Sequence, residues 1–160
     1  MQNQVAKQLN MIFSYKKKMA LIILIAVFFV CLDRFLKFLA IGSFLNQPIK
    51  IIGRILKLNF VPNYNIAFSL PLSGLWLNFT IGAIIVLLLF WFINLLKKQN
   101  DLQAACLAFL ILGVASNLFD RLKYGFVIDY LDLKYFTVFN LADAMIAGGV
   151  IFLVWLMTKK

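Results

Sequence analysis

The chain contains no histidine and no glutamate, and it has only two cysteines, Cys31 and Cys106, in 160 residues. Without histidine, the common zinc sites, serine–histidine–aspartate triads and cysteine–histidine pairs cannot be built. Each cysteine lies inside an apolar run, where a thiol is usually an inert small hydrophobic group. We therefore expect no metal and no cofactor, and any chemistry must use carboxylates, hydroxyls, amides and cations.

Charged residues are scarce at 14% of the chain, whereas hydrophobic residues make up 64%. A soluble fold of this length cannot bury so much apolar surface, so the composition predicts a membrane protein. The charge is basic, with 16 Lys and Arg against six acids, all Asp, and a formal net charge of +10. On so apolar a chain, this excess indicates contact with anionic phospholipid headgroups and not with nucleic acid.

Four apolar stretches are long enough to cross, or nearly cross, a bilayer as helices. The predicted fold is an all-α polytopic membrane protein, one domain over residues 1–160, with four transmembrane helices and a small extracytoplasmic β-like element. A polar turn, Lys97 to Asp101, joins the second and third spans, and longer segments (42–74 and 120–140) lie on the other side. The spans are placed at Met19–Ile41, Leu75–Leu96, Leu102–Phe119 and Leu141–Met157.

The orientation of the spans is predicted from three consecutive lysines, Lys16, Lys17 and Lys18, which directly precede the first span. Cations clustered beside a span favour the cytoplasmic side, so both termini are expected in the cytoplasm. The same lysines could begin a secretory signal peptide, but the apolar run continues to Ile41 and no small-x-small cleavage pattern stands out. We expect an uncleaved first span.

The antiparallel arrangement of four spans brings most of the acids to one side of the membrane. The ends of spans one and three and the starts of spans two and four all emerge there. Ionisable groups at membrane depth are costly, so such a cluster favours a functional site. Five polar residues are expected at similar depth, with Asp129 and Asp132 in the loop above them: Asp33, Asn117, Asp120, Asn140 and Asp143.

The two longer segments are predicted to contain extended elements. Residues Ile49–Val61 mix apolar and basic residues and predict an extended or hairpin element on the membrane surface, with Gly53 and Pro62 as bend points. Residues Phe126–Asp132 predict a short strand. Because side chains alternate along a strand, Asp129 and Asp132 should lie on opposite faces.

Several of these polar residues also have purely structural interpretations. Asp33 and Lys37 are one helical turn apart and can form an ion pair in which Lys37 extends outward to water. The neighbours Asp120 and Arg121 favour a local scaffold ion pair. Two further motifs are typical of helix starts and turns: Asn140 with Asp143 as a capping pair, and Asn63 to Ser69 as a turn.

Capping alone does not explain why Asp143 and one of the two strand acids, Asp129 or Asp132, converge. A strand, a short loop and a helix start bring them together at a depth where buried carboxylates are rare. Two adjacent carboxyl groups cannot both ionise readily, so they share a proton. Such a pair can activate water for attack on an amide, which makes amide hydrolysis the best chemistry that these residues offer.

The order of five motifs resembles lipoprotein signal peptidase (signal peptidase II). These motifs are Asp33-x-x-x-Lys37, Asn63-x-x-x-Ala67-Phe68-Ser69, Asn117-x-x-Asp120-Arg121, Val127-Ile128-Asp129 and Phe139-Asn140-x-Ala142-Asp143. The chain departs from the pattern typical of the family at Arg34, Asn65, Ile66, Ser116 and Val138.

The resemblance implies an aspartic peptidase of the bacterial cytoplasmic membrane, with its active site near the outer face. Its substrates would be prolipoproteins that carry diacylglycerol on the lipobox cysteine, and a monomer among membrane phospholipids is expected. The catalytic pair would be Asp129 and Asp143. The supporting or substrate-binding residues would be Asp33, Lys37, Asn63, Asn117, Asp120, Arg121 and Asn140.

Two non-enzymatic interpretations stay open at this point. In the first, the Asp cluster is a proton or ion relay, which should place ionisable groups at several depths. Four of the five clustered acids instead lie at one end of the predicted spans. In the second, the protein is a structural adaptor with ordinary interfacial ion pairs, and Asp129→Asn and Asp143→Asn would behave like surface changes.

Overall fold

The fold, taken from a computed structural model, is mostly helical with one small sheet, and it is described for residues 2–43, 47–64 and 74–159. The predicted motif positions Asn65 to Ser69 lie outside these ranges. The elements in chain order are α1 (Gln2–Ser43), β1 (Ile49–Ile52), β2 (Leu56–Asn63), α2 (Leu75–Lys97), α3 (Asp101–Tyr124), β3 (Val127–Leu133), β4 (Val138–Phe139) and α4 (Leu141–Thr158).

Within the described ranges, α2, α3 and α4 are the three helices found long and apolar enough to cross a membrane. Large apolar side chains such as Leu87 and Phe90 point away from the protein on α2, as expected for a surface that faces lipid. The predicted multi-pass membrane protein is therefore confirmed. The predicted span Met19–Ile41 lies within the longer helix α1, and its crossing stays a prediction.

Helix α3 lies at the centre of the bundle and contacts each of the other three helices. Its contact with α4 is close because both helices place glycine there. A Cβ on Gly113 would lie 2.6 Å from the carbonyl oxygen of Ala142, and one on Gly149 would lie 2.8 Å from the carbonyl oxygen of Cys106. These two glycines therefore fix how closely α4 approaches α3, Gly113 at the start of α4 and Gly149 near its middle.

The β-like element is larger than the sequence predicted. The expected hairpin and the expected short strand join with β4 into one four-stranded antiparallel sheet, in the order β1-β2-β3-β4. Strand β2 pairs Lys57 with Asp132 and Val61 with Asp129, which confirms an extended structure for both segments. The sequence could not show that segments some 70 residues apart would pair.

One of the two predicted bend points is wrong. Gly53 lies in the β1–β2 turn with a positive φ of 49°, but Pro62 lies inside β2, where it pairs with Ile128. Strand β1 pairs with β2 only from Leu56 to Leu58, so at Pro62 one side of β2 is an open edge of the sheet. Proline is tolerated at such an edge.

The sheet lies over the ends of the helices that carry the polar motifs. Helix α3 ends at Tyr124, and the left-handed φ of 81° at the next residue, Gly125, turns the chain into β3. Strand β4 leads directly into the start of α4. Beneath the sheet, Ala40, Ile128 and Tyr130 form an apolar cluster. Helix α3 also continues past its predicted end at Phe119. Asp120 and Arg121 are therefore helical and do not begin a loop.

Candidate active site

Asp129 and Asp143 line the same cavity, which has a volume of about 670 Å³. Residues of α2, α3 and α4 form most of its wall, and the end of β2, β3, β4 and the turn between β3 and β4 form the rest. Strand β3 carries Asp129, and the first turn of α4 carries Asp143. Apolar side chains dominate the remaining lining, among them Leu77, Ile81, Ile84, Val114 and Ile146.

Asn140 contacts both carboxylates. Its side-chain Nδ2 donates to Asp129 Oδ1 at 2.7 Å, and its backbone N–H donates to Asp143 Oδ2 at 3.1 Å. Its Oδ1 accepts from the backbone N–H of Asp143 at 2.8 Å, which completes a capping box at the start of α4. The predicted capping role of Asn140 is confirmed, and the same side chain also orients Asp129.

Two further asparagines complete the contacts of the pair. Asn63, at the end of β2, donates from Nδ2 to Asp129 Oδ2 at 2.9 Å. Asn117, on α3, donates from Nδ2 to Asp143 Oδ1 at 2.7 Å. Each oxygen of both carboxyl groups therefore accepts a hydrogen bond from an asparagine, and β2, α3 and the N-cap of α4 together hold the pair in one geometry.

The pKa of Asp129 is shifted towards neutrality. Asp129 is only 2% exposed, and this burial raises its pKa from 3.8 to about 7, with a further contribution from the negative charge of Asp143. Hydrogen bonds from Asn63 and Asn140 and the charge of Lys37 act in the opposite direction. At neutral pH the Asp129 carboxyl can therefore hold a proton or release one.

Behind the pair lies a buried cluster of charges that centres on Lys37. Its ammonium donates to Asp33 Oδ2 at 2.9 Å, to Asp120 Oδ2 at 2.8 Å and to Asn117 Oδ1 at 2.8 Å. The predicted Asp33–Lys37 pair is confirmed, but the prediction that Lys37 extends to water is wrong. Lys37 is 1% exposed because a second carboxylate and an amide from α3 replace the water that it would otherwise need.

The predicted ion pair between Asp120 and Arg121 is also wrong. Neighbouring residues on a helix point about 100° apart, and these two side chains face different parts of the protein. Asp120 is buried and accepts from Arg34 at 2.6 Å, which leaves two carboxylates and two cations in the cluster. Arg121 lines the cavity and donates to the carbonyl oxygen of Tyr64 at 3.3 Å.

Asp132, the remaining clustered acid, does not line the cavity. It pairs with Lys57 across the β2–β3 ladder and is partly exposed, whereas Asp129 is buried. The expected placement of these two residues on opposite faces is therefore confirmed. Four of the five predicted acids, and not all five, lie within the connected polar network.

Sequence reasoning missed Arg34, which contacts Asp120, and two further residues of this network, Ser116 and Tyr130. Ser116 Oγ donates to Asp33 Oδ2 at 2.7 Å, and the Tyr130 hydroxyl donates to Asp33 Oδ1 at 3.2 Å. Both are hydroxyl residues that stand among apolar residues next to a motif residue, Asn117 or Asp129. That position, where lipid or core would penalise an unpaired hydroxyl, was the available signal.

The similarity of this chain to known proteins, in sequence and in structure, extends over most of its length. The family described as Signal peptidase (SPase) II matches residues 25–159. The lipoprotein signal peptidase of Caldicellulosiruptor bescii is 39% identical over 129 residues, which are 81% of this chain and 85% of that protein. That of Syntrophomonas wolfei is 39% identical over 127 residues, 78% of this chain and 85% of the relative.

A solved structure described as a bacterial membrane enzyme aligns with a TM-score of 0.75 at 26% identity, over 88% of both chains. A second, with the same description, aligns with a TM-score of 0.73 at 26% identity, over 88% of this chain and 94% of that one. The sequence matches, the fold and the three apolar helices all indicate the same family. The chain belongs to the signal peptidase II family of membrane proteases.

Proposed function

We propose that this protein is an aspartic endopeptidase that removes signal peptides from diacylglyceryl-modified prolipoproteins, on the N-terminal side of the lipobox cysteine. The observation that carries the proposal is the contact of Asn140 with both Asp129 and Asp143 on the wall of one cavity. The lipoprotein signal peptidases to which the chain is similar support the choice of substrate.

The cavity suits a substrate that is anchored in the membrane. Its carboxylates lie on β3 and at the start of α4, and its apolar wall follows α2 from Leu77 to Ile84, a depth of about 10 Å along a helix. A lipid-anchored peptide can enter such a cavity sideways from the bilayer. Its scissile amide would then reach the carboxylates while its apolar part stays in contact with apolar side chains.

The two carboxyl groups divide the work of hydrolysis. Asp129, with a pKa of about 7, holds the proton and donates a hydrogen bond to the scissile carbonyl oxygen. Asp143 accepts a proton from water while the water oxygen bonds to the carbonyl carbon. A carboxyl proton then passes to the amide nitrogen as the carbon–nitrogen bond breaks, and the pair returns to one shared proton.

Other residues of the site support this reaction. The positive charge of Arg121, on the cavity wall, stabilises the oxyanion that forms when water adds. Asn63 and Asn117 hold the carboxylates in place, and Lys37 holds Asn117. The buried cluster of Asp33, Lys37 and Asp120 therefore acts on the reaction through the residues that it positions.

The proposed arrangement in the bacterial cytoplasmic membrane has α1 as a fourth span and both termini in the cytoplasm. The sheet and the carboxylate pair then lie near the outer face, where modified prolipoproteins present the lipobox. The protein acts as a monomer surrounded by phospholipid. The cationic residues Lys50 and Arg54, exposed on β1 and its turn, suit contact with anionic headgroups.

The distribution of buried charge favours a peptidase over a proton or ion relay. Within the described residues, the buried charged side chains are Asp33, Lys37, Asp120 and Asp129. All four belong to the one network at the sheet end of the bundle. A relay across the membrane needs ionisable groups at several depths.

The function is tested by incubating the purified protein in lipid or detergent with one prolipoprotein, prepared with and without diacylglycerol on its cysteine. Mass spectrometry should find a product that begins at the modified cysteine, and the unmodified form should stay intact. The Asp129→Asn protein, purified in the same way, controls for contaminating proteases. A folded wild-type protein that leaves the modified substrate intact, or that cuts both forms equally, would contradict the proposal.

A further inference from the structure

The first turn of α4 has acceptors for three consecutive backbone N–H groups. The N–H of Leu141 donates to the Tyr130 hydroxyl at 3.1 Å, that of Ala142 to Asp33 Oδ1 at 3.2 Å, and that of Asp143 to Asn140 Oδ1 at 2.8 Å. These N–H groups have no partner within a helix, and most helices leave some of them to water. The first turn of α4 is thus bound to β3 and to α1 as well as to its own cap.

Helix α2, which begins at the same side of the bundle, lacks this arrangement. Its N-cap is Gly74, and no side chain caps its first turn within the described residues. The dense contacts at the start of α4 are therefore a feature of the helix that carries Asp143, and they are not common to every helix start in this protein.

Tyr130 has a special place among these contacts, because its hydroxyl both accepts and donates. It accepts from the N–H of Leu141 and donates to Asp33 Oδ1 at 3.2 Å. The residue is 0% exposed, and burial together with the charge of Asp33 raises the pKa of its phenol, so the donor proton is retained. One buried oxygen atom thus joins β3, α4 and α1.

We propose that Tyr130 is a positioning residue that sets the separation of Asp129 and Asp143. Tyr130 follows Asp129 in β3, and its partner Leu141 lies two residues before Asp143 in α4. The bond between them therefore ties together the two elements that carry the carboxyl pair. The proposal rests on the proposed function only in its kinetic test, since the contact itself can be measured without a substrate.

The first experiment compares Tyr130→Phe with the wild type in the cleavage of a modified prolipoprotein. The substitution removes one oxygen atom and keeps the buried ring. We expect kcat to fall about tenfold because small displacements of reacting groups are costly, while KM, set by the apolar cavity, stays unchanged. Partial loss of folded protein would lower the rate equally at all pH values.

The pH profile separates positioning from simple destabilisation. The charge of Asp143 contributes to the raised pKa of Asp129, so a wider separation of the two carboxyl groups should lower that pKa. The midpoint of the fall in cleavage rate with rising pH should then move to lower pH. Other groups that act on Asp129 are Lys37 on α1, Arg121 on α3, Asn63 on β2 and Asn140. Tyr130→Phe leaves all of these side chains in the protein.

Ser116→Ala is the matched control. Like Tyr130→Phe, this change removes one hydroxyl that donates to Asp33. The Ser116 hydroxyl, however, donates to Oδ2, whereas the described hydrogen bond from α4 goes to Oδ1. Ser116→Ala should lower the melting temperature and leave the midpoint of the pH profile at the wild-type value. If Tyr130→Phe leaves both kcat and midpoint unchanged, or if both variants shift the midpoint equally, the proposal is wrong.

The second experiment measures amide hydrogen exchange in the wild-type protein, without substrate. The N–H groups of Leu141, Ala142 and Asp143 should exchange as slowly as those in the middle of α4, and more slowly than those of Leu75 and Trp76 at the start of α2. Equal exchange at the two helix starts would overturn the proposal, whatever the protein cleaves.

Discussion

Lys37 Nζ lies 2.8 Å from Asn117 Oδ1, and this contact determines which end of the Asn117 amide faces Asp143. An ammonium only donates hydrogen bonds, so the oxygen of the amide must turn towards it. The amide nitrogen is then left to donate to Asp143 Oδ1 at 2.7 Å. The buried cluster therefore orients a hydrogen bond to the carboxyl pair, in addition to holding the helices together.

Replacing Lys37 by methionine should strongly destabilise the protein. The change keeps most of the length of the side chain but leaves Asp33 and Asp120 buried without their shared cation. Breaking a buried pair in this way costs about 3–5 kcal/mol of unfolding free energy. Denaturant unfolding in detergent measures the loss. Lys50→Met, at an exposed position on β1, should stay within about 0.5 kcal/mol of the wild type, and a similar stability for the two variants would contradict the buried cluster.

Substitutions of Asn140 should separate its two roles. Serine is a good N-cap, so Asn140→Ser keeps an acceptor for the N–H of Asp143 and loses the donor to Asp129. We expect slow cleavage with a smaller loss of stability than in Asn140→Ala, which lacks both contacts and should lose about 1 kcal/mol more. Cleavage rates and melting temperatures measured on both variants provide the test. Full activity in Asn140→Ser would show that the contact with Asp129 is dispensable.

The α3–α4 contact should be sensitive to a single methyl group at Gly113. Its Cβ would lie 2.6 Å from the Ala142 carbonyl oxygen and 2.9 Å from Ile146 Cγ1, so Gly113→Ala must push the start of α4 away. Overpacking of this kind costs about 1–3 kcal/mol. Gly148→Ala is the control on α4, since its Cβ meets nothing within 4 Å. Thermal unfolding should rank Gly113→Ala well below Gly148→Ala, and the reverse order would be inconsistent with the close packing described.

The raised pKa of Asp129 predicts how stability changes with pH. Because the pKa rises from 3.8 to about 7 on folding, the neutral form is favoured in the folded state. Its contribution to stability is complete below about pH 4 and is lost as the pH rises through about 7. The melting temperature should therefore fall between pH 5 and pH 8, and Asp129→Asn should flatten that fall. Asp132→Asn, on the same strand, should keep the wild-type slope, and an unchanged slope in Asp129→Asn would contradict the raised pKa.

The sequence predicted the parts of the site that depend on local patterns. Apolar run lengths predicted the membrane helices, alternation placed Asp129 and Asp132 on opposite faces, and the Asn140–Asp143 spacing predicted the cap. Each of these features depends on residues close in the chain, where periodicity and capping rules apply directly.

Contacts between distant elements were not predictable in the same way. Lys37 is buried because Asp120 and Asn117 approach it from α3, some 80 residues away, and nothing near Lys37 in the sequence indicates them. The four-stranded sheet and the Tyr130 hydroxyl contacts likewise depend on long-range pairing. The resemblance to a known family named the polar residues, but their donors and acceptors required the structure.

The proposed function depends most on the joint action of Asp129 and Asp143 in hydrolysis. The most direct test is the single-turnover rate of cleavage of a modified prolipoprotein by Asp129→Asn and Asp143→Asn, with Asp132→Asn as the matched control and melting temperature as the check of folding. The first two variants should each lose about 10²–10⁴-fold in rate, while Asp132→Asn stays close to the wild type. A folded Asp129→Asn or Asp143→Asn protein that cleaves at nearly the wild-type rate would contradict the account.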